Sequence, residues 1–337
     1  MQRTQVAKNE MSIDNLYNEA QAKSVTDIKT KKKIFTTYRR RGERQAQNKH
    51  KNGDALTQAQ KKGWEADMKI TKFYQPNCWR IIWVNGSDAP PEVVFHMQGV
   101  VEGKCLPPFK KVSERQAKKI RHTRQWVTIS GLGSKAFEKD REGIMEVYAT
   151  FARIANGLGG IEFKTSNDHD SVEIGNHMFT PKEEAPDMEW ADIEDDMDTM
   201  GFMQWVKTSD IGLTYGEENV VKYGEEYTKV TKEKPEGVKR TSDIIPQKIH
   251  VGDIVDIGFT MIGIEGGRMM PVKAKLVLRT VTLLDSTHAQ DWIKAKAKAQ
   301  GSGLNRRMQI GKRTFDDDEI EGTRKRFQFL TTEDSEE

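Results

Sequence analysis

Cysteine is almost absent. Cys78 and Cys105 are the only two in 337 residues, and they do not form a Cys-x-x-Cys pair. That excludes a disulfide framework and matches the usage of a reducing compartment, in which two half-buried free thiols are expected. No apolar run approaches the roughly 18 residues that a membrane-spanning helix needs, and residues 1–20 lack the apolar stretch of a secretory signal. An intracellular protein without a membrane partner is expected, with the nucleus open to it if a Lys/Arg cluster acts as an import signal. Apolar residues are also scarce, at 36% against 31% charged. Such a ratio is low for a chain packed throughout and implies a well-packed centre diluted by solvated ends.

The motifs of catalysis are missing as well. Gly131-Leu132-Gly133-Ser134-Lys135 lacks the spacing of a phosphate-binding Walker loop, and Asn156-Gly157-Leu158-Gly159-Gly160 ends a helix where a dinucleotide fingerprint would begin one. No Ser-His-Asp or Cys-His arrangement can be assembled. Asp168-His169-Asp170 with His177 could hold a metal, although two histidines in a polar loop are ordinarily just solvated. Asp253 and Asp256 could pair, but Gly252-Asp253 suits a strand-opening turn and alternation sends Asp256 to the solvent face. No cofactor is expected.

What the chain does have is charge laid out in blocks, concealed by a net charge of +3. Between Lys29 and Lys51 stand ten Lys or Arg residues, among them Lys31, Lys32, Lys33, Arg39, Arg40, Arg41 and Arg44, against the single acid Glu43. A second basic stretch, Lys104 to Arg124, includes Lys118, Lys119 and Arg121; a third, in the tail, includes Arg306 and Arg307. Between Glu183 and Asp198 the sign reverses, with nine carboxylates and no Lys or Arg. Like charges at this density repel when packed together, so the blocks belong on surfaces or arms and act on partners.

Hydrophobic patterning divides the chain into a basic arm at 1–66, largely extended or helical, a β-rich core at 67–288, and a basic-then-acidic tail at 289–337. Strands are expected at Ile70–Tyr74, Cys78–Val84, Val93–Met97, Trp126–Ile129, Ile161–Thr165, Val220–Tyr223 and Tyr227–Val230. The clearest is a hairpin in which Val255, Ile257, Phe259 and Met261 face one way and Val272, Ala274, Leu276 and Leu278 answer them, with a bulge near Arg279 or Thr280. One substantial helix, Lys135 to Asn156, repeats Phe137, Ile144, Val147 and Phe151 at helical steps behind a Ser134 cap. Residues 166–200 read as an acidic surface excursion with little regular structure. The expected fold is mainly β, an antiparallel jelly-roll-like sandwich, with an open barrel as second choice.

Three basic clusters around a β core, the first interleaved with Phe35 and Tyr38, point to nucleic acid, DNA or RNA, bound through phosphates without sequence readout. Lys273, Lys275 and Arg279 at period two on the hairpin would aim a row of cations off the sheet, although solvent-face charges explain them equally. Two alternatives stand beside this non-enzymatic reading. One is a capsid-type, self-assembling protein whose arm packages a genome, which would make the chain a homo-oligomer; the other is a metal-dependent phosphoryl-transfer enzyme using Asp168, His169, Asp170 and His177.

Overall fold

The computed structural model describes residues 67–294 apart from 75, 85–88, 111–116, 155–160, 162, 167–168, 210, 232–233, 266–271 and 292–293. The chain divides into a unit ending at Ile293 and another at Lys294–Glu337, and all the strands and helices named below belong to the first. The basic arm at 1–66 and the tail clusters lie outside the described residues.

Twelve strands form among the described residues, most of them rich in β-branched and aromatic residues: β1 (Met68–Tyr74), β2 (Asn77–Trp83), β3 (Phe95–Cys105), β4 (Arg124–Ser130), β5 (Lys164–Ser166), β6 (His169–His177), β7 (Thr180–Pro181), β8 (Leu213–Thr214), β9 (Lys222–Thr231), β10 (Lys234–Asp243), β11 (Ile254–Ile264) and β12 (Lys273–Asp285). Ten of them form one sheet, ordered β10-β9-β12-β11-β3-β4-β6-β5, with β1 joined through β2 to β11. β3 pairs with β11 at Ile254–Phe259 and β2 takes over the same edge at Ile262–Ile264. β7 and β8 form a separate two-stranded ribbon.

The chain is mainly β with few helices, as the patterning implies. The connectivity by itself does not establish a jelly roll: ten of the strands share one hydrogen-bonded network, and β9 pairs with β12 in parallel. No barrel closure is seen among the described residues. The hairpin bulge is found where it is expected, since Gly258 pairs with Thr280 and Phe259 with Leu278, leaving Arg279 as the extra residue.

Helix α2 (Lys135–Ile154) follows the short α1 (Ala117–Ile120) and precedes α3 (Phe202–Thr208). The Ser134 hydroxyl accepts the Ala136 N–H at 3.3 Å at the start of α2. Phe137, Ile144, Val147 and Phe151 are buried along one stripe of α2 and join Met97, Ile129, Ile174, Phe259 and Leu278 of the sheet in one core. Burying each such side chain contributes about 1.5–3 kcal/mol. The helix lies so close to β11 that a Cβ on Gly263 would come within 2.7 Å of Phe151 Cε1. A second apolar cluster gathers Ile120, Phe179, Phe202, Met203, Val206 and Tyr215.

The expected excursion at 166–200 needs correction at its start, because His169–His177 is a full strand hydrogen-bonded on both sides, to β4 and β5. Its apolar residues are only Val172 and Ile174, set among polar neighbours, which masks the alternation. From Glu183 to Asp198 the expectation of little regular structure fits, apart from a 3-10 turn at Asp195–Met197. Eight of the nine carboxylates there are exposed. The segment is nonetheless fastened: Ala185 and Met197 are buried, Trp190 and Ile193 pack on the second cluster, and Asp198 accepts the Met203 and Gln204 N–H groups at the start of α3.

Candidate nucleic-acid interface

A cleft of about 600 Å³ opens where β4 and β6 face the β11–β12 hairpin, with β2 at one end. Arg80, Arg124, Lys275 and Arg279 supply its cations. Two of these are committed to holding the fold. Arg80 binds Glu92 at 3.1 Å and also pairs with Glu218, while Arg279 reaches Glu92 through Nε at 3.0 Å and the Glu218 carbonyl through Nη1 at 2.6 Å. Burial is the largest single influence on Arg80 and opposes its charge, yet Glu218, Cys78 and Glu92 together outweigh it and hold the guanidinium above its ordinary pKa. Arg279 therefore does not continue a free row with Lys273 and Lys275. As the bulge residue it turns into an internal ion network, and Val277, which shares the period, is buried.

The other end of the cleft is different. Arg124 contacts only the partly exposed Glu173, at 3.2 Å. Lys275 has no carboxylate within ion-pairing distance among the described residues, and partial burial first, then the charges of Arg124 and Lys273, push its pKa down against the smaller opposing influence of Glu184. His177 responds to the same field: burial, then Lys275, Arg124 and His122, lower it to about 4. The ring is thus neutral at pH 7, and the cleft lining sets the cations Arg80, Arg124, Lys275 and Arg279 against the carboxylates Glu173, Glu184 and Glu218. Lys275, outside any ion pair among the described residues, is the part of that lining that favours an anion.

Local sequence builds this geometry. Gly175 lets the Arg124 side chain lie across β6, since a Cβ there would come within 2.8 Å of Arg124 Nη2. Gln125 Nε2 donates to the Asn219 carbonyl at 2.8 Å, Asn176 Nδ2 to the Glu218 carbonyl at 2.7 Å, and Asn219 Nδ2 to the His177 carbonyl at 3.1 Å. The Tyr223 hydroxyl closes the network on Gln125 Oε1 at 2.7 Å, and burial raises that phenol well above its usual pKa. These amides anchor the 217–219 turn beside the cleft.

Of the residues singled out from sequence, Lys275 and Arg279 line the cleft and Lys273 is exposed beside Lys275 on β12. Lys119 and Arg121 are exposed at and just after α1, to which Lys118 also belongs. Arg121 borders a different hollow, with Lys182 and Glu183. Lys31, Lys32, Lys33, Arg39, Arg40, Arg41, Arg44, Arg306 and Arg307 lie outside the described residues. Sequence reasoning missed Arg80, Arg124, His122 and His177 as cleft residues, because nothing in their spacing announces that β2, β4 and β6 converge.

The metal constellation is not assembled. His169 and His177 stand at opposite ends of β6, about 27 Å apart at about 3.4 Å per residue, and Asp170 pairs with Arg141. Among the described residues no three His, Cys, Asp or Glu side chains converge, while Asp168 lies outside them. Asp253 serves the turn, accepting the His250 N–H at 2.6 Å. Asp256 corrects the expectation of a solvent-face carboxylate: its side chain is 14% exposed because His96 Nδ1, at 2.6 Å, and Gln98 of neighbouring β3 cover it. Cys78 is buried and Cys105 partly buried, both as free thiols.

No protein-family model matches the chain, and no curated protein matches it. Among solved structures, gp2.5, a single-stranded DNA binding protein encoded by bacteriophage T7, matches at 11% identity over 57% of this chain and 86% of that one, with a TM-score of 0.29. A superposition that loose carries no argument about fold or ligand.

Proposed function

We propose that this chain is a non-enzymatic protein that binds nucleic acid without reading its sequence. The basic arm and tail neutralise phosphates, and the folded core takes part through its cleft. The observation that supports the core's role is Lys275, which stands beside Arg124 and Lys273 and forms no ion pair among the described residues, the carboxylate of Glu184 in the same cleft only partly offsetting their field. A protein gains nothing in stability from such a cluster, so a polyanion that discharges it is the reading the geometry favours.

The test is the salt dependence of binding. Log affinity falls against log salt by about 0.7 per phosphate contact on single strands and about 0.9 on duplex. Replacing Arg39, Arg40, Arg41 and Arg44 with Ala should flatten the slope by about three units, and replacing Arg124 and Lys275 with Gln should flatten it by one to two more. If the arm changes abolish binding while the cleft changes leave slope and affinity untouched, the core is only a scaffold. If the purified chain carries no nuclease-sensitive absorbance and binds no oligonucleotide, the proposal as a whole is wrong.

A further inference from the structure

The β9–β10 hairpin presents a second face with the chemistry of a binding site. β12 pairs with β9 at Lys222–Glu225, and past that point β9 and β10 pair only with each other among the described residues, from Glu226↔Thr241 to Thr231↔Lys234. The hairpin therefore runs on as a two-stranded ribbon beyond the rest of the sheet.

Directly opposed residues of an antiparallel pair share a face, so the register sorts the ribbon's side chains. One face carries Glu226 opposite Thr241 and Thr228 opposite Lys239, and the Lys239 ammonium is bound by both Glu226 oxygens at 2.9 Å. That face neutralises itself. The other carries Glu225 opposite Ser242, then Tyr227 opposite Arg240, with Lys229 next along β9. Tyr227 is 42% exposed, Lys229 and Arg240 are exposed, and no carboxylate among the described residues pairs with either cation. Tyr223 lies on the same face four residues earlier and is 5% exposed within the core, so the face passes from packed interior to open solvent as the ribbon leaves the sheet.

An exposed aromatic ring flanked by two cations that form no ion pair among the described residues matches a base that can leave its neighbours: the ring stacks on it and the cations take the adjoining phosphates. Bases within a duplex are already stacked on each other and offer the ring no free surface. We infer that Tyr227, Lys229 and Arg240 bind unpaired nucleic-acid strands through one stacked base, at a site separate from the cleft, which none of the three lines. This rests on the nucleic-acid binding proposed above.

The test uses the full chain and a labelled, unstructured oligonucleotide, with the same sequence as a duplex for comparison, followed by fluorescence anisotropy. Tyr227→Ala should weaken single-strand binding on the order of 5- to 100-fold, the loss expected for one stacked base, while Tyr227→Trp retains it. Duplex affinity should stay within about twofold for both variants. Lys229→Gln with Arg240→Gln should lower the single-strand salt slope by about 1.4. No change on Tyr227→Ala, or an equal loss on both ligands, overturns the inference, and if Arg124→Gln with Lys275→Gln still weakens binding the proposed function survives it. Should Tyr227→Ala instead alter the mass in solution with binding intact, the ribbon is a contact between copies and the inference falls. A wild-type chain that binds neither ligand removes both readings.

Discussion

Replacing Lys275 with Met should make the protein more stable and a worse binder of nucleic acid. Partial burial and the charges of Arg124 and Lys273 lower the Lys275 pKa below its ordinary 10.5. A lysine depressed on folding is a cost at neutral pH, because the unfolded chain holds that proton more firmly; the cost disappears only above about pH 10.5. The side chain still reaches solvent, so screening limits the relief to about 0.3–1 kcal/mol. For a core of this size that corresponds to a rise in Tm of about 1–4 °C. Met keeps the stem that packs along the strand and removes only the charge. Binding should move the other way, with the salt slope falling by about 0.7 on single strands as one phosphate contact is lost. Thermal unfolding and anisotropy across a salt series read the two effects on one preparation. A fall in Tm with an unchanged slope would show that Lys275 is satisfied within the fold, and would refute the reasoning.

Other outcomes follow from the same geometry. Glu92→Gln should destabilise the fold by about 3 kcal/mol, because it leaves two nearly buried guanidinium groups without their shared carboxylate; chemical denaturation measures this, and a loss below about 1 kcal/mol would contradict it. His177 is lowered to about 4 from 6.5, so the unfolded chain takes up its proton first and stability should drain away as pH falls from about 6.5 to 4. That loss is at most about 3 kcal/mol before solvent screening, and a His177→Gln variant with an equally steep decline would contradict the assignment. Asp192→Asn, Asp195→Asn and Asp196→Asn together should tighten nucleic-acid binding at low salt if the acidic surface competes for the arm, and unchanged or weaker binding counts against it. Deleting residues 1–60 should leave Tm within a few degrees, since those residues carry too few apolar side chains to serve the core; a large drop contradicts this.

Periodicity carried much of the fold. The stripe of Phe137, Ile144, Val147 and Phe151 marks α2 because each residue returns to one face of the helix, and the shift of apolar residues past Thr280 betrays the bulge at Arg279. What escaped was long-range. β6 shows two apolar residues in nine, since much of what it covers is the cleft wall and not the core, and a strand whose neighbours are polar loses the alternation that announces it. β10 escaped for a related reason: Lys239, Arg240, Thr241, Ser242 and Asp243 are all exposed and none is apolar, so there is no apolar side for the period of two to reveal. Connectivity was out of reach altogether. Residue patterns name strands, while the order β10-β9-β12-β11-β3-β4-β6-β5 depends on pairings between segments separated by many tens of residues.

The site suffered from a related blindness, in that a sequence counts cations but not their partners. Lys273, Lys275 and Arg279 look equivalent at period two, yet the bulge hands Arg279 to Glu92 and Glu218, residues 187 and 61 positions away, while Lys275 faces Arg124 from another strand. Arg80 and Arg279 are bound to carboxylates within the fold and Arg124 to the partly exposed Glu173, while Lys275 forms no ion pair among the described residues. The same division holds on the ribbon, where Lys239 is bound by Glu226 and Arg240, one residue on, has no such answer among the described residues. Which cations are left outside an ion pair is therefore a property of register and burial. A block of ten cations in the sequence says that a polyanion can be bound. Only the unanswered charges of the folded core say where on its surface that polyanion would lie.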